Sequence, residues 1–300
     1  HIRNGTTAHA RLALGINGVE VGFKENATLF EMDYTFTERG TYNCYGNAKT
    51  ETATKSQRIV LSYAADSKPQ AYPGGTPKMG TVRNADGSVT FCLAAPGKRS
   101  VVLAGSWNDL EVSDDQLMYY TDVDNQRYFW ITIPGLEADK QYLYYYVVDG
   151  ATLVGDPYAR LVLDPSNDRY IPSSVYPDLP AYPTDKVRDV ALAVYQENIN
   201  DYDWVVTDFK PEAKYELIIY ELLLRDFTGT EGRKNGNGTV RQAIEKLPYL
   251  KELGVNVIEL LPINEFNGNN SWGYNPNFYF APDKAYGTPD DYKEFIDLCH

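Results

Sequence analysis

Residues 239–261 read TVRQAIEKLPYLKELGVNVIELL, an amphipathic pattern that runs into an almost unbroken apolar stretch. The pattern predicts one helix with Thr239 as its N-cap and Gly254 just past its end. The apolar stretch predicts a strand, and a similar run, ELIIYELLL, covers residues 216–224. Such near-continuous apolar strands are typical of parallel sheets that are covered on both faces. The order strand, helix, strand therefore indicates the opening of a parallel α/β domain.

The length of that domain sets a further expectation. Two parallel strands cannot bury both faces of a sheet. A (β/α)₈ barrel needs roughly 250 residues, and only the residues up to 300 follow the first strand. We therefore expect residues 215–300 to be the N-terminal part of a (β/α)₈ TIM barrel, with the chain stopping inside it.

The segment after the second strand, residues 270–288, reads NSWGYNPNFYFAPDKAYGT and holds six aromatic rings between glycines and prolines. This punctuation predicts a loop without regular elements. Loops that follow barrel strands form the active-site face, and sugars present C–H groups that lie flat on aromatic rings. Trp272, Tyr274 and Asn275 are therefore candidate substrate-binding residues. Loop packing is the alternative, disfavoured for Tyr274 by its exposed turn and about equally weighted for Trp272 and Tyr286.

The first half of the chain has a β pattern. Residues 1–72 alternate apolar and polar residues and predict a small antiparallel sandwich. The run ERGTYNC at residues 38–44 resembles the strand-entry corner of immunoglobulin-like domains. After a linker, a second β unit runs from Gly80 to about Pro165, so that residues 73–165 form a second predicted sandwich. Residues 166–214, rich in proline and tyrosine, are expected to be a structured connector.

Composition limits the choice of partner. The chain is 43% hydrophobic and 13% aromatic, which is typical of a folded protein. Its net charge of −13 repels nucleic acid and anionic membrane surfaces, so a neutral ligand is favoured. No apolar stretch is long enough to span a bilayer. Cys44, Cys92 and Cys299 are expected to be buried free thiols.

Metal chemistry is equally restricted. With three histidines in the chain, a histidine-built zinc site is not expected. A hard-cation site of oxygen ligands is the one metal site left open, so Ca²⁺ is the only cofactor considered and none is expected to be required.

Four motifs together look like the α-amylase family of glycoside hydrolases. They are YELLLRDF at residues 220–227, LKELGVNVIELLPI at 250–263, SWGYNP at 271–276 and YGTPDDYKEFID at 286–297. The second β unit also looks like the sandwich that precedes the catalytic barrel in pullulanases, isoamylases and glycogen branching enzymes. The run Asp156-Pro157-Tyr158-Ala159 is the most specific part of that second resemblance.

The resemblance implies a starch-like α-glucan as substrate, cleaved at α-1,4 or α-1,6 glucosidic bonds by a retaining mechanism. In that family the tyrosine of the WGY motif lies against the sugar whose bond is cut, a role that passes to Tyr274. The catalytic carboxylates lie on later strands, so none is expected within residues 1–300. The alternatives are a glucan branching transferase and a non-catalytic starch-binding protein. A polymeric substrate favours an exported protein over a cytoplasmic one, and the oligomeric state stays open.

Four further residues have competing interpretations. Trp107 and Trp130 are candidates for a starch-stacking surface, although strand aromatics more often lie in a core. Asp226 and Glu265 stand near the ends of the two barrel strands, where they could suggest a paired acid and base. We expect both carboxylates to anchor loops instead.

Overall fold

A computed structural model describes residues 2–38, 40–63, 65–199, 201–229 and 238–300. The chain divides into two compact units. The first unit comprises His1–Pro77, Cys92–Ile131 and Tyr146–Val154, and the second comprises Lys78–Phe91, Thr132–Tyr145 and Gly155–His300. Across the described ranges no helix combines the length and the apolar character needed to cross a lipid bilayer.

The first unit begins with a four-stranded antiparallel sheet. Its strands are Ile2–Ile16 (β1), Val19–Met32 (β2), Gly40–Lys49 (β3) and Thr54–Tyr63 (β4), in the order β2-β1-β3-β4. A small cluster of Ala10, Leu12 and Ala27 is buried on it. Tyr42 donates a hydrogen bond to the carbonyl oxygen of Glu38, four residues earlier in the same run ERGTYNC. Arg39 of that run lies outside the described residues.

We expected a sandwich over residues 1–72. The described residues of this segment form one sheet, and a second sheet facing it is not among them. The number of sandwiches and the domain boundaries at residues 72, 165 and 214 therefore stay predictions.

Two further sheets follow in the chain. Their strands are Gly80–Arg83 (β5), Val89–Ala94 (β6), Val101–Gly105 (β7), Tyr119–Val123 (β8), Gln126–Ile133 (β9), Tyr142–Val148 (β10), Thr152–Val154 (β11), Val162–Leu163 (β12) and Leu192–Tyr195 (β13). One sheet has the order β5-β6-β9-β8, and the other has the order β11-β10-β13-β12 with β7 paired to β10. Short 3₁₀ helices cover Ser106–Asn108, Asp114–Gln116 and Asp168–Tyr170.

Packing inside the second unit joins these two sheets. Phe91 of β6 packs edge-on against Tyr144 of β10, with ring centroids 4.9 Å apart. The buried hydroxyl of Tyr144 donates to Asp156 Oδ2 over 2.8 Å. These contacts pack one sheet on the other, and the sandwich expected over residues 73–165 stays a prediction. The connector expected over residues 166–214 contributes strand β13 to this fold, because the apolar run at residues 190–195 pairs with β10 and β12.

The parallel α/β segment is present as expected. Strands Ile219–Leu222 (β14) and Val257–Leu260 (β15) pair in parallel, with Tyr220 opposite Ile258. The expectation that the first strand is covered on both faces is wrong, since Ile219 is 55% exposed. The cause is that these two strands form a sheet of their own in the described part of the chain.

The helices of this segment are Leu224–Phe227 (α1), Val240–Ile244 (α2), Leu247–Glu252 (α3) and Pro289–Cys299 (α4). Thr239 caps α2 as predicted, and Gly254 has the positive φ of +88° that suits a helix end. The single helix predicted over residues 239–253 is nevertheless divided between α2 and α3. Pro248 explains the break, because it has no N–H to donate to the carbonyl oxygen of Ile244.

Two other expectations are wrong. The segment after β15 is not a plain loop, because Asn264–Phe266 (β16) and Pro276–Pro282 (β17) form an antiparallel hairpin. All three cysteines are thiols outside any disulfide and two are buried, but Cys299 is exposed, because it ends the last turn of α4.

The N-cap of α4 provides a test of the local structure. Thr288 Oγ1 accepts from the backbone N–H of Asp291, and Asp291 Oδ2 accepts from the backbone N–H of Thr288. Replacing Thr288 by alanine removes one half of this capping box and is expected to cost about 1 kcal/mol of unfolding free energy. Denaturant unfolding monitored by circular dichroism measures the loss. Thr288→Ser keeps the acceptor and serves as control, and an equal loss in both variants would contradict the capping role.

Candidate functional site

The candidate site lies where the two parallel strands end. Chain segments leaving the carboxyl ends of β14 and β15 meet here: α1 follows β14, and the hairpin of β16 and β17 follows β15. Arg225 of α1 donates to Asn270 Oδ1 over 2.9 Å, which joins the two segments. Arg225 also forms a two-point ion pair with Asp226, whose carboxylate pKa is lowered by this hydrogen bond. The carboxylate of Asp226 thus binds a residue of its own segment, as expected of a loop anchor.

The tip of the hairpin is a tight turn at residues 271–275. Ser271 Oγ donates to Asn275 Oδ1 and accepts from the backbone N–H of Gly273. Gly273 has a φ of +91°, and a Cβ placed on it would lie 2.0 Å from the carbonyl oxygen of Pro262. Only glycine fits this close approach without displacing the backbone.

The turn places two aromatic side chains in solvent. Trp272 is 63% exposed and Tyr274 is 68% exposed. Tyr286, the third candidate ring of this segment, is buried and packs edge-on against Phe266 with centroids 5.8 Å apart. The turn therefore offers Trp272 and Tyr274 to a ligand, whereas Tyr286 supports the turn from below by donating to the carbonyl oxygen of Ser271.

Trp107 and Trp130, the two candidate tryptophans of the second β unit, lie in other surroundings than the rings of the turn. Trp130 is 5% exposed, packs on Tyr72, and donates from its ring nitrogen to Thr121 Oγ1. This burial leaves no ring face for a sugar, so the core interpretation holds for Trp130. Trp107 is half-buried, lies against the backbone of Gly105 and donates to Gln116 Oε1. Neither tryptophan is part of the turn at residues 271–275.

The base of the hairpin is built around a buried charge cluster. Lys284, which follows β17, is 1% exposed, and its ammonium contacts Glu265 of β16. Asp168 Oδ1 lies 3.3 Å from the same nitrogen. Asp283, also buried, accepts from the backbone N–H groups of Phe266 and Ala285. Glu265 is therefore a structural anchor, as the sequence suggested.

Protonation in this cluster is set by burial. Burial raises the pKa of Glu265 to about 8 against the pull of Lys284, with Asp283 and Asp168 adding to the rise. Burial also raises the pKa of Asp283 to about 6 and that of Asp168. It acts to lower the pKa of Lys284, but Glu265 and Asp168 outweigh it and raise that pKa to about 12. The lysine therefore stays charged, and burial favours the protonated form of Glu265.

Sequence reasoning missed Lys284, Asp168 and Ser271. Lys284 stands in a run punctuated by proline and glycine, where a lysine is ordinarily solvated, and its partner Asp168 is 116 positions earlier.

Within the described residues, no group of three or more histidine, cysteine, aspartate or glutamate side chains has the geometry to hold a metal ion.

Comparison with known proteins identifies the family of the segment that contains the two parallel strands and the hairpin. Residues 222–300 match the family model described as the α-amylase catalytic domain. Residues 222–300 belong to the α-amylase family.

Curated relatives of this α-amylase segment extend the match towards the N-terminus. A malto-oligosyltrehalose trehalohydrolase from Saccharolobus solfataricus is 30% identical over 213 residues, which is 71% of this chain and 30% of that protein. A 1,4-α-glucan branching enzyme from Geobacillus stearothermophilus is 33% identical over 222 residues, again 70% of this chain and 30% of that protein. The chain thus spans about a third of the length of these relatives.

Solved structures agree with the family. A putative α-amylase from Salmonella typhimurium superposes with a TM-score of 0.54 at 29% identity, over 75% of this chain and 31% of that one. The α-amylase family implies a multidomain fold with a TIM barrel, and the described residues include the part of it around β14 and β15.

Titration of Glu265 predicts a pH dependence of stability. Its pKa lies near 4.5 in the unfolded chain and near 8 in the fold. A raised folded pKa stabilises the fold fully below about pH 4.5, and that stabilisation is lost as the pH rises to about 8. Glu265→Gln is expected to reduce this decline in unfolding free energy, measured by urea titration at several pH values. Glu259→Gln, at an exposed glutamate of β15, is the control. If the unfolding free energy of Glu265→Gln declined with pH as steeply as that of the wild type, the raised pKa would not belong to Glu265.

The close approach at Gly273 predicts an unequal pair of glycine substitutions. Gly268, in the same hairpin, has a similar φ of +85° but nothing within 4 Å of its missing Cβ. Gly268→Ala is expected to cost about 1 to 2 kcal/mol from backbone strain alone. Gly273→Ala has the same strain plus the clash with Pro262, so its unfolding free energy should fall further. Equal losses in urea unfolding would show that the turn is not packed as described.

Proposed function

We propose that the protein is an α-glucan-active enzyme of the α-amylase family and that the turn at residues 271–275 binds its substrate. The observation that carries the proposal is the exposed ring of Tyr274, held in solvent at the carboxyl end of a parallel strand by a turn that only Gly273 permits. An aromatic ring fixed in this way provides a flat apolar surface for the C–H face of a glucose unit at little cost in ordering.

The neighbouring residues have distinct roles in this proposal. Trp272 offers a second exposed ring one turn position before Gly273. Asn275 accepts from Ser271 Oγ, which fixes its side chain so that its amide group can meet a sugar hydroxyl. Trp107 and Trp130 are not included, because one packs against Gly105 and the other is buried.

The reaction we propose is hydrolysis of α-1,4 or α-1,6 glucosidic bonds with retention of configuration. Such chemistry uses one carboxylic acid to protonate the leaving oxygen and a carboxylate about 5 Å away to attack the anomeric carbon. We assign neither role to a residue within 1–300, because the family resemblance implies that both carboxylates lie on later strands. Glu265 is paired with Lys284 and Asp226 with Arg225, so neither is proposed as acid or base.

Glucan branching is the second candidate, favoured by the 33% identity to a 1,4-α-glucan branching enzyme. It uses the same intermediate and passes the glycosyl group to a sugar hydroxyl instead of water. The proposal requires no cofactor, and Ca²⁺ is the one metal ion that it leaves open. We also propose that the protein acts outside the cytoplasm, because a polymeric glucan is its expected substrate.

Two exposed tyrosines give a matched test of the binding residue. Tyr279, on β17, is 69% exposed, close to the 68% of Tyr274, but lies outside the turn. Tyr274→Ala is expected to raise the Kd for maltoheptaose about fivefold, since an aromatic contact of this kind contributes on the order of 1 kcal/mol. Tyr279→Ala should leave the Kd unchanged. Isothermal titration calorimetry measures both, and equal effects would contradict the proposed role of Tyr274.

Product analysis separates the candidate activities. Hydrolysis of soluble starch by the whole protein is expected to release reducing sugar steadily. Branching would lower the iodine colour of amylose without releasing reducing ends. A folded whole protein that binds maltoheptaose and does neither would contradict the enzymatic proposal and leave a starch-binding protein.

A further inference from the structure

A short acidic turn at residues 164–168 precedes the barrel strands and is closed by its own hydrogen bonds. Asp164 Oδ1 accepts from the backbone N–H groups of Ser166 and Asn167, both over 2.7 Å. Asp168 Oδ2 accepts in return from the backbone N–H of Asp164 over 2.9 Å. These bonds fix the backbone of the turn. Side chains that bind to the turn are therefore held in a defined position.

The acidic turn contacts the base of the hairpin. The second oxygen of Asp168, Oδ1, lies 3.3 Å from the buried ammonium of Lys284. The same ammonium contacts Glu265 on the first hairpin strand, and Lys284 itself lies two residues after the end of the second strand. One cation therefore connects the acidic turn to both strands at the base of the hairpin.

The acidic turn also contacts the hairpin near its tip. Asn269 Nδ2 donates to the backbone carbonyl oxygen of Asn167 over 2.8 Å. Asn269 lies in the connection between β16 and β17, two residues before the turn that carries Trp272 and Tyr274. The hairpin is thus attached to one rigid segment at two places, its base and its tip.

We infer that the acidic turn is a positioning element for the sugar-binding turn, acting through Lys284 at the base and Asn269 at the tip of the hairpin. The inference rests on the proposed function. Attachment at two places restrains both the bending of the hairpin and the rotation of its tip. The ring of Tyr274 then keeps one orientation towards a glucan, and less of the binding free energy is lost in ordering the loop.

Two isosteric substitutions that add the same charge, and a third that removes a charge at the base, test this inference. Asn269→Asp keeps the size of the side chain but removes the N–H donor to Asn167. Asn267→Asp introduces the same charge at an exposed position of the same connection. Asp168→Asn weakens the contact at the base. Each variant is examined by hydrogen exchange of the peptide spanning residues 267–275, by maltoheptaose titration and by thermal unfolding of the whole chain.

Asn269→Asp is expected to speed exchange in this peptide about tenfold and to raise the Kd for maltoheptaose about tenfold, with Asn267→Asp within about twofold of the wild type. Asp168→Asn should act in the same direction. Faster exchange with an unchanged Kd, or no change in either quantity, overturns the inference and leaves the proposed function intact. A wild-type chain that binds no maltoheptaose overturns the proposed function, and the role of the acidic turn in sugar binding with it.

Discussion

The buried ammonium of Lys284 is the constraint on which the candidate site depends. A charge with 1% exposure is tolerated only when it is paired, because removing an ion from water costs several kcal/mol. Glu265 and Asp168 contact this nitrogen, and Asp283 adds a third buried carboxylate. The segments that supply these groups must therefore meet at one place. Loss of Lys284 would leave its buried carboxylate partners without a counter-charge, which is strongly destabilising.

The arrangement of the hairpin follows from that cluster. Asp283 accepts from the backbone N–H of Phe266, at the end of β16, and from that of Ala285, just after β17, so the two strands are connected through one side chain. Further out, Tyr286 packs on Phe266 and reaches the carbonyl oxygen of Ser271. The aromatic residues of this segment thus have two separate uses. Buried rings support the hairpin, and the rings of Trp272 and Tyr274 are left in solvent by the turn at Gly273.

Sequence predicted those features that depend on neighbouring residues. The cap at Thr239, the glycine end at Gly254 and the exposed turn at Gly273 are each fixed by a few adjacent positions. The break at Pro248 was missed because the amphipathic pattern continues through it. The hairpin was missed because Phe278, Tyr279 and Phe280 are consecutive aromatics without alternation. The contact between Lys284 and Asp168 spans 116 positions, so only the folded chain could reveal it.

A crystal structure of the chain soaked with maltoheptaose tests the central claim most directly, because it shows where a glucan binds without depending on the reaction. The account predicts a glucose ring lying flat on Tyr274 at van der Waals distance, about 4 Å, with the turn at residues 271–275 unchanged. A turn that stays empty at saturating maltoheptaose, or a glucan bound only on another surface of the chain, would contradict it.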